Sequence, residues 1–530
     1  PIGFYEVFLF YKLFYSKYWH SELLEKNLLI LFNPWKRDDG VYMENSNFLN
    51  DYILNEEGRI LSGTYLKKSF IPWHYSQFKP SLIPALKSFL SWLPLTFEQR
   101  ADPVLMAREV ASMVNNNGQD DIGVLVGKWD GKYESMRAPN GQIIKANSPK
   151  YWDGSAEILE RFYRNPYHPI FGHPSRTVTN FKSGHEDLPF DLYLTQYLYL
   201  RNVKQEIQWN FHVWNEIWMR RPDLGTNKYD GWQVIDATLQ VTINNISNVG
   251  PVPVKAILNA DLNLKKYWED AIFVYGEVNA DIKYYDSKRY NWFIDSVNSK
   301  SDIDWKDKNT KIEIIFSPKV YVGQLLNIIV NIQNRLPIFV EYNVTVDVHS
   351  EYYHGQIAHY LLTYPLETKI PPFTKKAIKL QVKPEEYLEK LVPFNIIKSK
   401  VFVKNLNSKK FVLEEMPFTF DKPELKLTAA LSSKTKSHTK IIVTAKFKNP
   451  LKISLTNCKI KIGGTRTDSI TYPIKDFHPL MTKRIQIPIS YENDLNREVI
   501  TVSLLTKQLD KVTSQIILPT TTHVDGRKLS

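Results

Sequence analysis

One thiol, a dozen imidazoles and a scatter of carboxylates are the groups in this chain that could carry covalent or proton-transfer chemistry. The thiol is Cys458, the sole cysteine among 530 residues. It excludes an intrachain disulfide, and no cysteine-rich zinc spacing exists. Cys458 stands in a strand-like run, Ile453 to Ile462, and reads as an inert buried side chain. His212 lies in Trp209–Asn210–Phe211–His212–Val213–Trp214–Asn215–Glu216, and Asp236 follows in Asp230–Gly231–Trp232–Gln233–Val234–Ile235–Asp236–Ala237–Thr238. A carboxylate that holds an imidazole can prepare it for proton transfer. Taken alone, however, a His–Asp pair is more often a structural hydrogen bond. Trp129, ending Val126–Gly127–Lys128–Trp129, by itself reads as core packing.

Elements of two kinds must position these residues. A chain of 530 residues exceeds a single hydrophobic core, and a domain size of roughly 100–200 residues predicts about three domains. Residues 28 to about 300 mix helical and strand patterns. Thr96 to Asn115 reads as a helix with Asp102 as a cap, Pro103 in its first turn, and Val104, Ala107, Ala111 and Val114 at helical spacing. Ser155 to Tyr163 reads as a second, shorter helix. From about Lys311 onward the spacing predicts short strands: Lys311–Phe316, Leu326–Ile332, Tyr342–Val348, Ala377–Val382 and Lys398–Val403. A second series follows, Glu424–Ala430, Lys440–Lys448, Cys458–Ile462, Ile485–Ile489 and Glu498–Leu505, with the joint near Asp421–Pro423. Two consecutive β-sandwiches fit this length.

The formal charge of +12 comes from 68 basic and 56 acidic residues, so acidic partners or an anionic membrane surface stand beside a charge simply dispersed over a large surface. The small basic groups at Lys67–Lys68, Arg220–Arg221, Lys375–Lys376 and Lys409–Lys410 make no long block, which argues against nucleic acid. Residues Phe4 to Trp19 are apolar and aromatic but are interrupted by Glu6, Lys12 and Lys17. That run is too short and too charged to span a membrane, and it lacks the pattern of a signal peptide. Cytoplasmic residence or leaderless release is therefore expected.

As an ordered series of blocks, the first half resembles the animal transglutaminases. The series opens with Leu31–Phe32–Asn33–Pro34–Trp35 and Asp38–Asp39, then Arg100–Ala101–Asp102–Pro103–Val104. Next come Asp120–Asp121–Ile122–Gly123–Val124–Leu125–Val126–Gly127–Lys128–Trp129, Gly154–Ser155–Ala156–Glu157–Ile158–Leu159 and Pro174–Ser175–Arg176–Thr177–Val178–Thr179–Asn180. The His212 block, Arg221–Pro222–Asp223–Leu224, the Asp236 block and Gly276–Glu277–Val278–Asn279 complete it. The resemblance implies an α+β papain-like core (residues 28–310, incomplete) followed by two all-β immunoglobulin-like sandwich domains (311–421 and 422–530). Residues 1–27 stay unassigned, and the family's N-terminal β-sandwich is not recognised.

The family transfers the acyl group of a protein glutamine to a lysine amine with a Cys–His–Asp triad. By resemblance His212 and Asp236 stand at the histidine and aspartate positions, and Trp129 at the tryptophan that supports the oxyanion. The family's Gly-Gln-Cys-Trp segment opens a helix, whose N-terminus favours the thiolate. It belongs between the Glu157–Ile158–Leu159 and Pro174–Ser175–Arg176 blocks, and no cysteine stands there. The stretch is shorter than the family's by about 20 residues, a helix of about 30 Å, so the nucleophile helix reads as deleted near 166–173. Ser175 and Cys458 are both misplaced as substitutes. Calcium is the cofactor the resemblance implies, with Asn115, Asn117 and Asp120 in one oxygen-donor region and Asn279 and Asp281 in part of another. The acidic helix that completes the second region is not recognisable. The expectation is a calcium-dependent protein crosslinker that acts on Gln and Lys side chains, inactive as written, with the missing segment and the Pro1 start read as an incomplete gene model. The competing expectation is a non-enzymatic pseudo-transglutaminase that binds protein partners as a scaffold.

Overall fold

Apolar residues that alternate with polar ones bury one face of a pleated strand, and this pattern builds the C-terminal half. The computed structural model describes residues 1–64, 66–79, 81–114, 135–137, 143–145, 152–155, 173–181, 183–184, 208–237, 242–243, 246–247, 250–258, 307–353, 355–434, 438–465, 467–492 and 498–518. In Leu326–Asn334 the residues Leu326, Ile328, Val330 and Ile332 are all fully buried, while Asn327 faces water. Thr310–Phe316, Leu326–Asn334 and Lys375–Val382 form a three-stranded antiparallel sheet, with Leu326–Asn334 in the middle. Facing it, Ile357–Ile370, Val340–Glu351, Ile396–Asn405 and Phe411–Thr419 form a four-stranded sheet in that order.

The second sandwich repeats this plan strand for strand. Leu425–Lys434, His438–Lys448 and Thr482–Glu492 make its three-stranded sheet, and Ile470–Pro473, Lys459–Gly464, Glu498–Thr506 and Asp510–Leu518 its four-stranded one. The expected pair of immunoglobulin-like sandwiches is therefore present. The two share one apolar cluster that runs from Val320 and Val322 to Leu451 and Phe477. Gly323 sits at this joint with φ +87°, and a Cβ there would come 2.6 Å from Leu451 Cδ2, so a larger residue would strain the backbone and displace the tip of Leu451.

Ahead of them lies a partly helical core. Leu82–Trp92 and Pro103–Ser112 are helices whose buried Leu86, Phe89, Leu90, Val104, Met106 and Ala107 pack against Ile217 and Met219. The second helix begins at Pro103 rather than at Thr96. Thr96 and Gln99 instead exchange hydrogen bonds (2.8 and 3.3 Å) around a short 3₁₀ turn, Gln99–Ala101. Asp102 is then held extended by the following proline, and its Oδ1 accepts from Val104 N at 2.8 Å and Leu105 N at 3.3 Å. The cap was legible; the preceding turn was not. The helix expected at Ser155–Tyr163 lies, beyond its first residue, outside the described residues.

The aromatic N-terminal run is a hairpin: Gly3–Tyr11 pairs antiparallel with His20–Ile30. That second strand crosses the joint expected at 27/28. Among the described residues no helix is long and apolar enough to cross a membrane.

Candidate active site

A four-stranded antiparallel sheet carries the candidate residues. Its order is Val252–Pro253, Gly231–Ile235, His212–Met219 and Ser175–Asn180. His212 opens its strand opposite Asn180. Ile235 pairs with Asn215, so Asp236, one residue further on, reaches the level of Trp214. Residues 212 and 214 point to the same face of a pleat, which brings the carboxylate diagonally to the imidazole. His212 Nε2 and Asp236 Oδ2 are in direct hydrogen-bond contact, and each residue is 1% exposed. An ionised carboxylate only accepts, so this contact selects the tautomer with the proton on Nε2 and leaves the basic position at Nδ1. The Trp214 ring lies 5.6 Å from the imidazole at 31°, which restricts how the ring can turn.

Aspartate placement depends on a second, deeper group. Arg221 is fully buried just past the end of the His212 strand. Its Nε and Nη2 donate to the two oxygens of Asp223 at 3.0 Å each, and its Nη1 donates to Gln233 Oε1 at 2.7 Å and to Pro251 O at 2.9 Å. Its backbone N–H donates to Asp230 Oδ1 at 2.7 Å. Gln233 in turn donates to Tyr229 O and Gly231 O. One guanidinium thus ties the 221–224 turn, the Gly231–Ile235 strand and the segment before Val252 into one unit, and sets the level at which Asp236 leaves its strand. Arg221, Asp223 and Gln233 stand in the sequence blocks that carry the family resemblance, with no role that their types and spacing alone assign. An arginine between two strongly apolar strands was the available signal, because a cation there must be paired.

The blocks near the N terminus converge on the same strand. Asp39 accepts from Asn33 N (2.9 Å) and Val41 N (3.1 Å), which folds 33–41 into a turn. Gly40 O accepts from Arg220 N, and Tyr42 O accepts from Trp218 Nε1. On the face that carries His212 and Trp218, Arg176 grips Glu216 at 2.6 and 2.8 Å and stacks 4.2 Å over Trp232. At the strand's entry, Asn210 Nδ2 donates to Glu351 Oε2 (2.9 Å), while Phe211 packs on Tyr353 and Phe394. The first sandwich therefore holds the residues immediately before His212.

Other sequence candidates behave differently. Ser175 pairs with Ile217, five residues along the strand from His212, or about 17 Å at the strand rise, so it is no partner for the imidazole. Cys458 is buried in the second sandwich, where its Sγ donates to Leu455 O at 3.3 Å and burial pushes the thiol pKa up, against thiolate formation. Trp129, Asn115, Asn117, Asp120, Asn279 and Asp281 lie outside the described residues, as does the expected deletion from 166 to 172. Among the described residues no group of three or more His, Cys, Asp or Glu side chains is gathered to hold a metal ion.

Comparison with known proteins gives a consistent picture. The hemocyte protein-glutamine gamma-glutamyltransferase of Tachypleus tridentatus is 28% identical over 512 residues, covering 81% of this chain and 64% of that protein. Human protein-glutamine gamma-glutamyltransferase K is 37% identical over 279 residues, 49% of this chain and 32% of its own length. The bovine protein-glutamine gamma-glutamyltransferase 2 is 26% identical over 93% of this chain and 82% of its own. The chain thus spans less than two thirds of the first two of these relatives. The crystal structure of red sea bream transglutaminase superposes with a TM-score of 0.72 at 21% identity, covering 94% of this chain and 82% of that one. No protein-family model matches.

Proposed function

We propose that this chain, a member of the transglutaminase family, carries the orienting half of a Cys–His–Asp acyl-transfer site and does not itself complete the transfer. In the family's reaction a thiolate attacks the side-chain amide of a protein glutamine, ammonia leaves, and a lysine amine takes the acyl group from the thioester. His212 fits the part of the imidazole that receives the thiol proton through Nδ1 and returns it to the leaving ammonia. Asp236 fits the carboxylate that holds the ring and stabilises its charged form. The observation that carries the reading is the buried His212–Asp236 contact, in a chain whose one thiol is locked in the second sandwich. A hydroxyl or thiol brought within about 3 Å of the imidazole is what nucleophilic catalysis requires.

Trp129 would support the oxyanion, and Asn115, Asn117, Asp120, Asn279 and Asp281 would offer oxygen donors to calcium; no step here depends on the metal. The test is incorporation of a labelled amine into casein at saturating calcium. None is expected, and clear incorporation that His212→Ala abolishes would overturn the reading. A transcript with an in-frame insert between Asn165 and Ser175 encoding Gly-Gln-Cys-Trp would make the native product a calcium-dependent Gln–Lys crosslinker. If transcripts lack that insert, the scaffold reading gains. What favours it is that the His212 strand is anchored to the first sandwich through Asn210 and Glu351, so a docked three-part platform does not depend on a nucleophile.

A further inference from the structure

Glu216 is a carboxylate buried midway along the interior strand His212–Met219, four residues past the imidazole. Taking a charged group out of water is costly, and apolar side chains of similar volume would serve stability as well. What a buried pair of charges adds is fixed geometry.

The two oxygens of this carboxylate serve different partners. Arg176, paired with Glu216 across the strands, donates to Oε2 from both Nε (2.8 Å) and Nη2 (2.6 Å). Oε1 is left to the indole, and Trp214 Nε1 donates to it at 3.4 Å. Alternate positions of a strand share one face, so His212, Trp214 and Glu216 stand in a row, all three buried. The Trp214 and His212 ring centroids are 5.6 Å apart. Arg176 is itself held by stacking 4.2 Å over Trp232, whose ring meets Tyr52 (4.8 Å) and Trp218 (5.5 Å) edge-on.

The hydrogen bond to Asp236 fixes one corner of the imidazole and leaves the ring free to rock about it. An indole beside the ring stops that motion only if the indole cannot turn about its own side-chain torsions. The bond from Trp214 Nε1 to Glu216 supplies that restraint, and the Arg176 charge holds Glu216 in the orientation that accepts it. Asp236 and Trp214 thus act on different parts of one ring.

We propose that Arg176, Glu216 and Trp214 form a positioning relay that holds the His212 imidazole in place for proton transfer at Nδ1; it rests on the reading of His212 as the acyl-transfer histidine. The test is NMR of the full chain with 15N-labelled histidine. His212 is assigned by the signals lost in His212→Gln, and thermal unfolding is recorded for each variant. The parent should show one set of His212 signals with a protected proton on Nε2. Arg176→Ala changes a partly exposed side chain, and Trp214→Phe keeps an aromatic ring but removes the N–H. Each should split or broaden that set and speed exchange of the Nε2 proton about tenfold, the scale of one lost hydrogen bond to a charged group. Arg176→Lys should keep the parent pattern, because a point charge can serve the single oxygen that Arg176 uses. Unchanged His212 signals in Arg176→Ala or in Trp214→Phe overturn the relay, as does a disturbed pattern in Arg176→Lys. Trp214→Phe decides alone if Arg176→Ala does not fold. A parent without the Nε2 proton sinks the reading of the His212–Asp236 pair and the relay with it; a parent that has it, with unchanged variants, sinks the relay alone.

Discussion

Replacing Arg221 by alanine removes a guanidinium from a place water does not reach. Gln233 Oε1 and Pro251 O lose their donor inside the protein, at about 1–3 kcal/mol for each orphaned buried acceptor. Asp223 keeps 15% of its side chain exposed, so water replaces part of what it loses. With the void left by the side chain, the loss sums to about 4 kcal/mol, within the range for breaking a buried charge pair from one side. At about 2–4 °C per kcal/mol for a unit of this size, the core transition falls by roughly 8–16 °C. Arg221→Lys, a point charge without the planar fork, recovers about half. Calorimetry of the full chain measures both, and the low-field proton of the His212–Asp236 bond, read by NMR, should broaden or vanish in the alanine variant. A core transition within about 0.5 kcal/mol of the parent, the size of an ordinary surface change, would refute the clamp and with it the argument that Arg221 sets the level of Asp236.

Two further outcomes follow from the same packing. Burial, helped by the Lys461 and Lys511 charges and opposed by Asp153, lowers the His74 pKa from 6.5 to about 4. The folded pKa lies below the unfolded one, so the unfolded chain takes up the proton first, and stability falls as pH drops from about 6.5 to about 4, by about 3 kcal/mol in all. His74 Nε2 meets Thr501 Oγ1 at 2.6 Å, across the joint between the core and the second sandwich. Burial lowers His173 to about 4 as well, so thermal midpoints recorded across that window should show a shallower slope in His74→Gln and keep the rest, and an unchanged slope sinks the assignment. Asp102→Ala removes the cap of Pro103–Ser112 and should cost about 1 kcal/mol in urea unfolding; no measurable change would mean that the cap is redundant.

Much of the C-terminal half was legible because its chemistry is local. Ile328, Val330 and Ile332 alternate with polar neighbours, and any such run pleats with one face buried. The strands Ile357–Ile370 and Phe411–Thr419 carry a weaker local signal for the converse reason. Ile357–Ile370 is largely exposed at an edge, so water permits almost any residue there, and Phe411–Thr419 carries Pro417 and a charged pair in its middle. The turn before Pro103 was hidden because Thr96 and Gln99 suit a helix start as well as the isolated turn they form.

His212 and Asp236 could be placed by the blocks around them, yet their contact could not. It depends on the register of two strands, and that register is held by Arg221, Gln233 and the Pro251 carbonyl, which meet only after the chain has folded. The hairpin shows the same division: its aromatic and basic residues were plain in the sequence, but which end is covered was decided when Ile2 and Phe4 found the core. By itself the sequence determined the alternation that makes two sandwiches and the position of the only thiol. Tertiary structure decided which polar groups are paired away from water, because pairing depends on distances between segments that carry no local signal of one another.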